Sequence, residues 1–175
     1  ANGDADLISM ARPFLADPEF VNKAATGQSE RINTCIGCNQ ACLDHVFNGK
    51  VSSCLVNPRA CEETRIIIAP AQAQKTIAII GAGPAGLACA VTAAQRGHKV
   101  TLYDAGEQIG GQFNIAKRIP GKEEFSETLR YFSVMLNELK VTVKLNTYLS
   151  TQQLNDLHVD ELVLATGITP RGLDI

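Results

Sequence analysis

At 175 residues, 45% hydrophobic and 19% charged, with a formal net charge of −2, the chain has the profile of an ordinary globular protein long enough to bury a sizeable core. Its basic residues are scattered rather than blocked, which argues against nucleic acid as a partner, and no apolar run approaches the roughly 18 residues of a membrane span. The opening ANGDADLISMARP has neither the basic start nor the apolar core of an export signal. The expected setting is therefore a reducing, cytoplasmic one, where clustered cysteines are more often metal ligands than disulfides.

Three zones follow one another. Residues 1–30 begin without an initiator Met and carry a short apolar run, Ala5 to Met10, then Ala11-Arg12-Pro13 and a polar, helix-permissive stretch. This reads as one strand feeding one helix, too little to fold alone. Residues 31–75 hold the cysteines and then RIIIAPAQAQ, a Pro/Ala/Gln segment with the composition of a linker. From Thr76 to residue 175 the pattern changes to alternating strands and helices, the rhythm of a parallel α/β sheet.

In that third zone Ile77 to Ile80 is a continuous apolar run, expected of a strand covered on both faces. Pro84 suits the first turn of a helix and Gly97 its C-terminal stop. Lys99 to Tyr103 supplies a second strand. Phe125, Leu129, Phe132, Leu136 and Leu139 recur at steps of four and three, marking an amphipathic helix. Val141, Val143 and Leu145 alternate with polar residues as a half-exposed strand would, and Glu161 to Thr166 reads as a buried strand ending at Gly167.

Between the first strand and the first helix lies Gly81-Ala82-Gly83-Pro84-Ala85-Gly86, a G-x-G-x-x-G. Gly81 permits a tight turn, Gly83 lets backbone approach a pyrophosphate, and Gly86 lets helix and strand pack closely. The phosphates would sit on the helix N-terminus, where unpaired N–H groups and the dipole favour anions. An acid, Asp104, ends the second strand about 20 residues on, as a dinucleotide fingerprint requires. A carboxylate there accepts from ribose hydroxyls and repels a 2′-phosphate, which disfavours NADP in this pocket and leaves FAD or NAD. Gly110-Gly111-Gln112 offers a second glycine-lined approach. Thr166-Gly167 taken alone reads equally as a strand-ending turn or a ligand contact.

The stretch TCIGCNQACLDHVFNGKVSSCLVNPRAC holds five of the six cysteines, with Cys35, Cys38, Cys42 and Cys54 spaced C-x2-C-x3-C-x11-C. Zinc sites favour two chelating pairs, or a Cys pair with a His pair. Three crowded cysteines plus one distant one is a common layout for a cubane iron–sulfur cluster. That reading leads, with zinc and disulfides as the alternatives. Cys61 reads as incidental, Cys89 as a small core residue among alanines, and His45 as a loop residue near the cysteines.

CIGCNQACLD, CLVNPRAC and GAGPAG followed by GGQFNIAK resemble the bacterial NADPH-dependent 2,4-dienoyl-CoA reductases, a family joining an old-yellow-enzyme-like barrel, an iron–sulfur cluster and a disulfide-reductase-like flavin domain. The x3 gap between Cys38 and Cys42 differs from the usual shorter gap of trimethylamine dehydrogenase, a relative that keeps only ADP in the equivalent dinucleotide pocket. The resemblance implies a 4Fe–4S cluster on Cys35, Cys38, Cys42 and Cys54. It implies FAD on Gly81, Gly83, Pro84, Ala85, Gly86, Asp104, Gly111, Gln112, Thr166 and Gly167. It likens ADLISMARPFLADP to the last strand of a TIM barrel and the loop after it, so that Ala11 and Arg12 would hold the phosphate of FMN; Arg12 taken alone reads as a surface ion-pair residue.

In the whole enzyme electrons would pass from NADPH to FAD, to the cluster, to FMN, and into a dienoyl-CoA during fatty acid β-oxidation. The family's earlier barrel strands, its NADPH domain and its proton-donating Tyr and His fall outside these residues, so no catalytic acid or base is expected here. A sister enzyme, such as an enoate reductase or amine dehydrogenase, is one alternative. A non-catalytic redox-sensing or electron-transfer module is the other.

Overall fold

The computed structural model describes residues 3–168. The chain forms two compact units, Ala1–Ile67 and Ile68–Ile175.

The first unit is built from short pieces: helices α1 (Arg12–Ala16), α2 (Phe20–Ala25) and α3 (Leu43–Phe47), with a 3-10 turn at Ser29–Arg31. Helices of five or six residues are too short to be stable by propensity, so tertiary bonds must hold them. The centre of that bonding is Asp17, buried at 3% exposure. Its carboxylate accepts from the Lys23 ammonium at 2.6 Å, the Asn33 N–H at 2.8 Å and the Glu19 N–H at 3.0 Å. The Asn33 amide then donates to the Val56 carbonyl at 2.7 Å, and the Asn57 amide donates to the Leu15 carbonyl at 2.8 Å. Ala16, Ile32, Ile36, Ala41 and Ala60 fill the small interior.

The strand expected at residues 5–10 does not form. These residues join no ladder, and Leu7 and Ile8 are 92% and 77% exposed. A strand exists only by pairing, and this unit supplies no partner for it among the described residues.

The second unit is a four-stranded parallel sheet in the order β3-β2-β1-β4, made of β1 (Thr76–Ile80), β2 (Lys99–Tyr103), β3 (Thr142–Lys144) and β4 (Glu161–Leu164). The fold class read from the sequence, a partial Rossmann-like α/β domain, is observed. Ile77 pairs with Val100 on one side and Glu161 on the other. Helix α4 (Pro84–Gln95) joins β1 to β2, and the short α5 (Phe113–Ala116) and longer α6 (Phe125–Glu138) lead from β2 to β3. The core gathers Ile77, Ile79, Leu87, Ala90, Val100, Leu102, Leu129 and Leu136, so alternate strand residues meet the apolar stripes of α4 and α6. Gly97, at φ +92°, ends α4 where a helix needs a left-handed residue.

The linker-like segment is strapped to this unit. Ala71 N–H donates to the Arg96 carbonyl at 2.9 Å, and Arg96 Nε donates to the Ala69 carbonyl at 3.2 Å.

Two strand expectations need correction. β3 spans only three residues instead of the expected 141–145. β4 is not buried: Leu162 and Leu164 are 41% and 63% exposed. β4 lies at the edge of the sheet, paired to β1 alone, so an apolar composition does not by itself secure cover. The crossover before it contains α7 (Thr151–Asn155), which opens on a capping box between Ser150 and Gln153. Among the described residues no helix is long and apolar enough to cross a membrane.

Candidate functional site

The sheet reverses direction beside β1. From β1 the chain steps outward through β2 to β3, then returns to β1's other side as β4. In open parallel sheets the crevice outside the carboxyl ends of the strands at such a switch point is where ligands bind. The sequence-predicted residues of the second unit gather there.

Gly81 follows β1 at φ +109°. A side chain at Gly81 would collide with the Ala165 carbonyl and press on the Thr166 N–H. Turn and strand end are thus in backbone contact. A side chain at Gly86 would collide with the Gly81 carbonyl, which explains the third glycine: α4 begins hard against the turn. Gly83 by contrast faces open space. Pro84 and Ala85 form the first turn of α4, which has no side-chain cap and no acidic residue. Its amide donors and positive dipole end are therefore unspent.

A second loop approaches the turn. Gly110 N–H donates to the Ala82 carbonyl at 2.7 Å, and a side chain at Gly111 would come within 3.2 Å of Gly83 Cα. Gln112 Nε2 donates to the Ile168 carbonyl at 3.0 Å, just beyond Thr166 and Gly167. The structure therefore brings together Gly81, Gly83, Gly86, Gly111, Gln112, Thr166 and Gly167.

Asp104 has a part the sequence did not indicate. One carboxylate oxygen accepts from the Ala82 N–H at 2.6 Å and the other from the Gly106 N–H at 2.7 Å. The acid clamps the glycine turn to the loop after β2. Each oxygen keeps a further lone pair for a ribose hydroxyl.

In the first unit Cys35, Cys38, Cys42 and Cys54 line one cavity together with Arg12, Leu15, Ile36, Asn39, Ala41, Leu55 and Val56. None of the four is in a disulfide. Burial pushes the Cys54 thiol above its ordinary value, N–H groups of Val56 and Asn57 pull it back, and Cys35 and Cys38 raise it further by their charge. The four thiols surround the cavity without closing on a point: among the described residues no group of three or more His, Cys, Asp or Glu stands as a ready metal-ligand set. The free space enclosed among these residues is about 10 Å³. Four soft thiol donors on one cavity fit the donor chemistry of an iron–sulfur or zinc centre.

Arg12 opens α1, and its Nη1 donates to Asn39 Oδ1 at 2.6 Å. Ala11 is the N-cap residue of the same helix. His45 lies on α3 with its Nδ1 3.0 Å from the Val51 carbonyl and does not line the cavity. Cys61 is exposed at φ +63°, and Cys89 packs half-buried against the core. Sequence reasoning missed Asp17, Asn33, Asn39 and Asn57, single polar residues in loops where no periodicity marks them.

Residues 75–175 match the pyridine nucleotide-disulphide oxidoreductase family. A metal reductase of Desulforamulus reducens is 42% identical over 96% of this chain and 26% of its own length. An N,N-dimethylglycine/sarcosine dehydrogenase of Chromohalobacter salexigens is 36% identical over 96% of this chain and 25% of its own. Among solved structures, 2-naphthoyl-CoA reductase in complex with 2-naphthoyl-CoA superposes with a TM-score of 0.95 at 37% identity, over 99% of this chain and 26% of that one. The chain spans about a quarter of the length of the curated relatives it matches.

Proposed function

The chain belongs to the pyridine nucleotide-disulphide oxidoreductase family, and from that premise we propose that it is the electron-relay portion of an NADPH-dependent 2,4-dienoyl-CoA reductase. FAD is held at the switch point: Gly81, Gly83, Pro84, Ala85 and Gly86 carry its pyrophosphate, Asp104 its ribose, and Gly111, Gln112, Thr166 and Gly167 the rest of the crevice. Cys35, Cys38, Cys42 and Cys54 hold a 4Fe–4S cluster, and Ala11 and Arg12 hold the phosphate of FMN. When bound, the flavins exchange electron pairs with hydride donors and acceptors, while the cluster passes electrons singly. The chain's own residues supply anion-binding amides, a ribose acceptor and soft thiolates.

The observation that carries this reading is the gathering of the four cysteines, un-crosslinked, on one cavity. The likeness to 2-naphthoyl-CoA reductase, whose partner in its complex is an aromatic acyl-CoA, supports an unsaturated thioester as the substrate class. A conjugated dienoyl thioester belongs to that class. The dimethylglycine/sarcosine dehydrogenase favours a second reading, an amine dehydrogenase built on the same relay.

Anaerobic treatment of the chain with iron and sulfide should yield about four irons per chain, as a four-thiolate cubane requires. A broad visible band should appear and bleach with dithionite. Cys42→Ser should lose iron, because a hydroxyl replaces a thiolate poorly. One tightly held zinc and no iron would refute the cluster. NADPH oxidation by the whole protein with a 2,4-dienoyl-CoA decides the substrate; amine oxidation without any response to dienoyl-CoA would favour the second reading.

A further inference from the structure

Of the residues lining the thiol cavity, Arg12 is the one with a permanent positive charge. Arg12 is itself exposed, and its Nη1 donates to Asn39 Oδ1 at 2.6 Å, across 27 residues of chain. Asn39 lies between Cys38 and Cys42 at φ +61°, a left-handed conformation that Asn tolerates better than most residues. Its carbonyl also accepts from the Asp44 N–H at 3.1 Å, at the start of α3. One residue thus shapes the turn between two thiols and ties the guanidinium to that turn.

Val56 lines the cavity beside Cys54, and the Asn57 N–H donates to the Cys54 carbonyl at 3.2 Å. Asp17, the buried carboxylate next to this region, is neutralised by Lys23 and so does not cancel the cation. Four thiolates bring negative charge into a half-buried space, and a reduced centre carries one more. A tethered cation stabilises that more negative state.

We propose that Arg12, positioned by Asn39, sets the electron affinity of the centre that the four cysteines hold, raising its reduction potential. This rests on the cluster reading above and adds a role for Arg12 toward the cluster that the FMN phosphate does not require. Asn39 acts through Arg12 and is a positioning residue. The reduced centre gains from the cation, so loss of the cation lowers the potential, and a lysine that keeps the charge preserves most of it.

The test is a redox titration of the iron- and sulfide-loaded chain, followed by visible absorption and electron paramagnetic resonance, with no second flavin present. Arg12→Gln should shift the oxidised-to-reduced ratio at fixed potential at least tenfold towards the oxidised form, about 59 mV for a one-electron couple. Arg12→Lys should retain most of the parental value. Asn39→Gly, which frees the guanidinium without straining the turn, should shift the ratio in the same direction by less. A parental potential in Arg12→Gln, or equal shifts in the Gln and Lys variants, overturns the proposal. If Arg12→Gln fails to load, an unshifted Asn39→Gly overturns it in its place. A parent chain that takes up no iron overturns the cluster reading itself, and this inference with it.

Discussion

Replacing Asp104 by alanine should destabilise the second unit before any cofactor is considered. The carboxylate accepts from the Ala82 N–H at 2.6 Å and the Gly106 N–H at 2.7 Å. Ala82 is fully buried, so its amide would be left without water or a partner, at a cost of about 1–3 kcal/mol. Gly106 is exposed and water can replace the lost acceptor there, so its share is about 0.5–1 kcal/mol. The expected loss for Asp104→Ala is the sum, about 1.5–4 kcal/mol. Asp104→Asn keeps one oxygen for Ala82 but sets its NH2 against the Gly106 N–H, a donor facing a donor, so it should lose about 1 kcal/mol. Urea denaturation of the chain freed of flavin measures both, with flavin retention measured separately. An Asp104→Ala midpoint equal to the parent's, with only flavin retention weakened, would show that the two amide bonds contribute nothing. The acid would then serve the ribose alone.

Gly86→Ala should cost about 1–3 kcal/mol by forcing α4 away from the turn, and should weaken flavin retention more than a surface Gly→Ala elsewhere; unchanged thermal unfolding would contradict the close packing. Asp17→Ala should destabilise the first unit by about 3 kcal/mol, because it strands the Lys23 ammonium and the Asn33 N–H. Faster reaction of the cysteines with a thiol reagent should accompany it, and unaltered thiol kinetics would count against Asp17 as the support of that loop. The Asp160 carboxyl is held below its ordinary value by the Thr76 N–H and then by the Thr76 hydroxyl. A depressed pKa means stability present above the unfolded carboxylate value of about 3.9 and lost as pH falls through the lower folded value. Asp160→Asn should therefore be less stable than the parent at neutral pH, with the difference closing in acid; a pH-independent difference would remove the carboxylate from the explanation.

The second unit was legible in the sequence because its signals are local. Pro84 and Gly97 bracket α4, apolar residues at steps of four and three trace α6, and the spacing of Gly81, Gly83 and Gly86 to Asp104 marks a turn with a ligand end. Each follows from backbone rules that hold whatever surrounds the element. The misjudged strands depended on neighbours. Ala5 to Met10 has strand composition and no partner; Leu162 and Leu164 look like core and lie exposed at an edge. The capping box of α7 was readable from Ser150 and Gln153. The bonds from Asp17 to Asn33 and from Arg12 to Asn39 were not, since they join loop residues 16 and 27 positions apart with no pattern between.

That contrast follows from what each unit would hold under the proposed function. A pyrophosphate needs many weak donors at close range, and backbone amides provide them only where side chains are absent. The site is thus written as missing atoms, in glycines whose spacing is visible. A thiol-bound centre needs four side chains from loops, and loops have no ladder to fix them. Fixing falls to scattered polar residues: Asp17 and Asn33 behind Cys35, Asn57 behind Cys54, Asn39 between Cys38 and Cys42. Each gives one to three bonds of about 1 kcal/mol, or somewhat more to a charged partner. Losing one should therefore loosen the thiols without unfolding the sheet, whose core is drawn entirely from residues after Thr76. Thiol reactivity and sheet stability are expected to separate in such variants, and a variant of Asn33 or Asn57 that melts both together would show that the two units do not stand on independent cores.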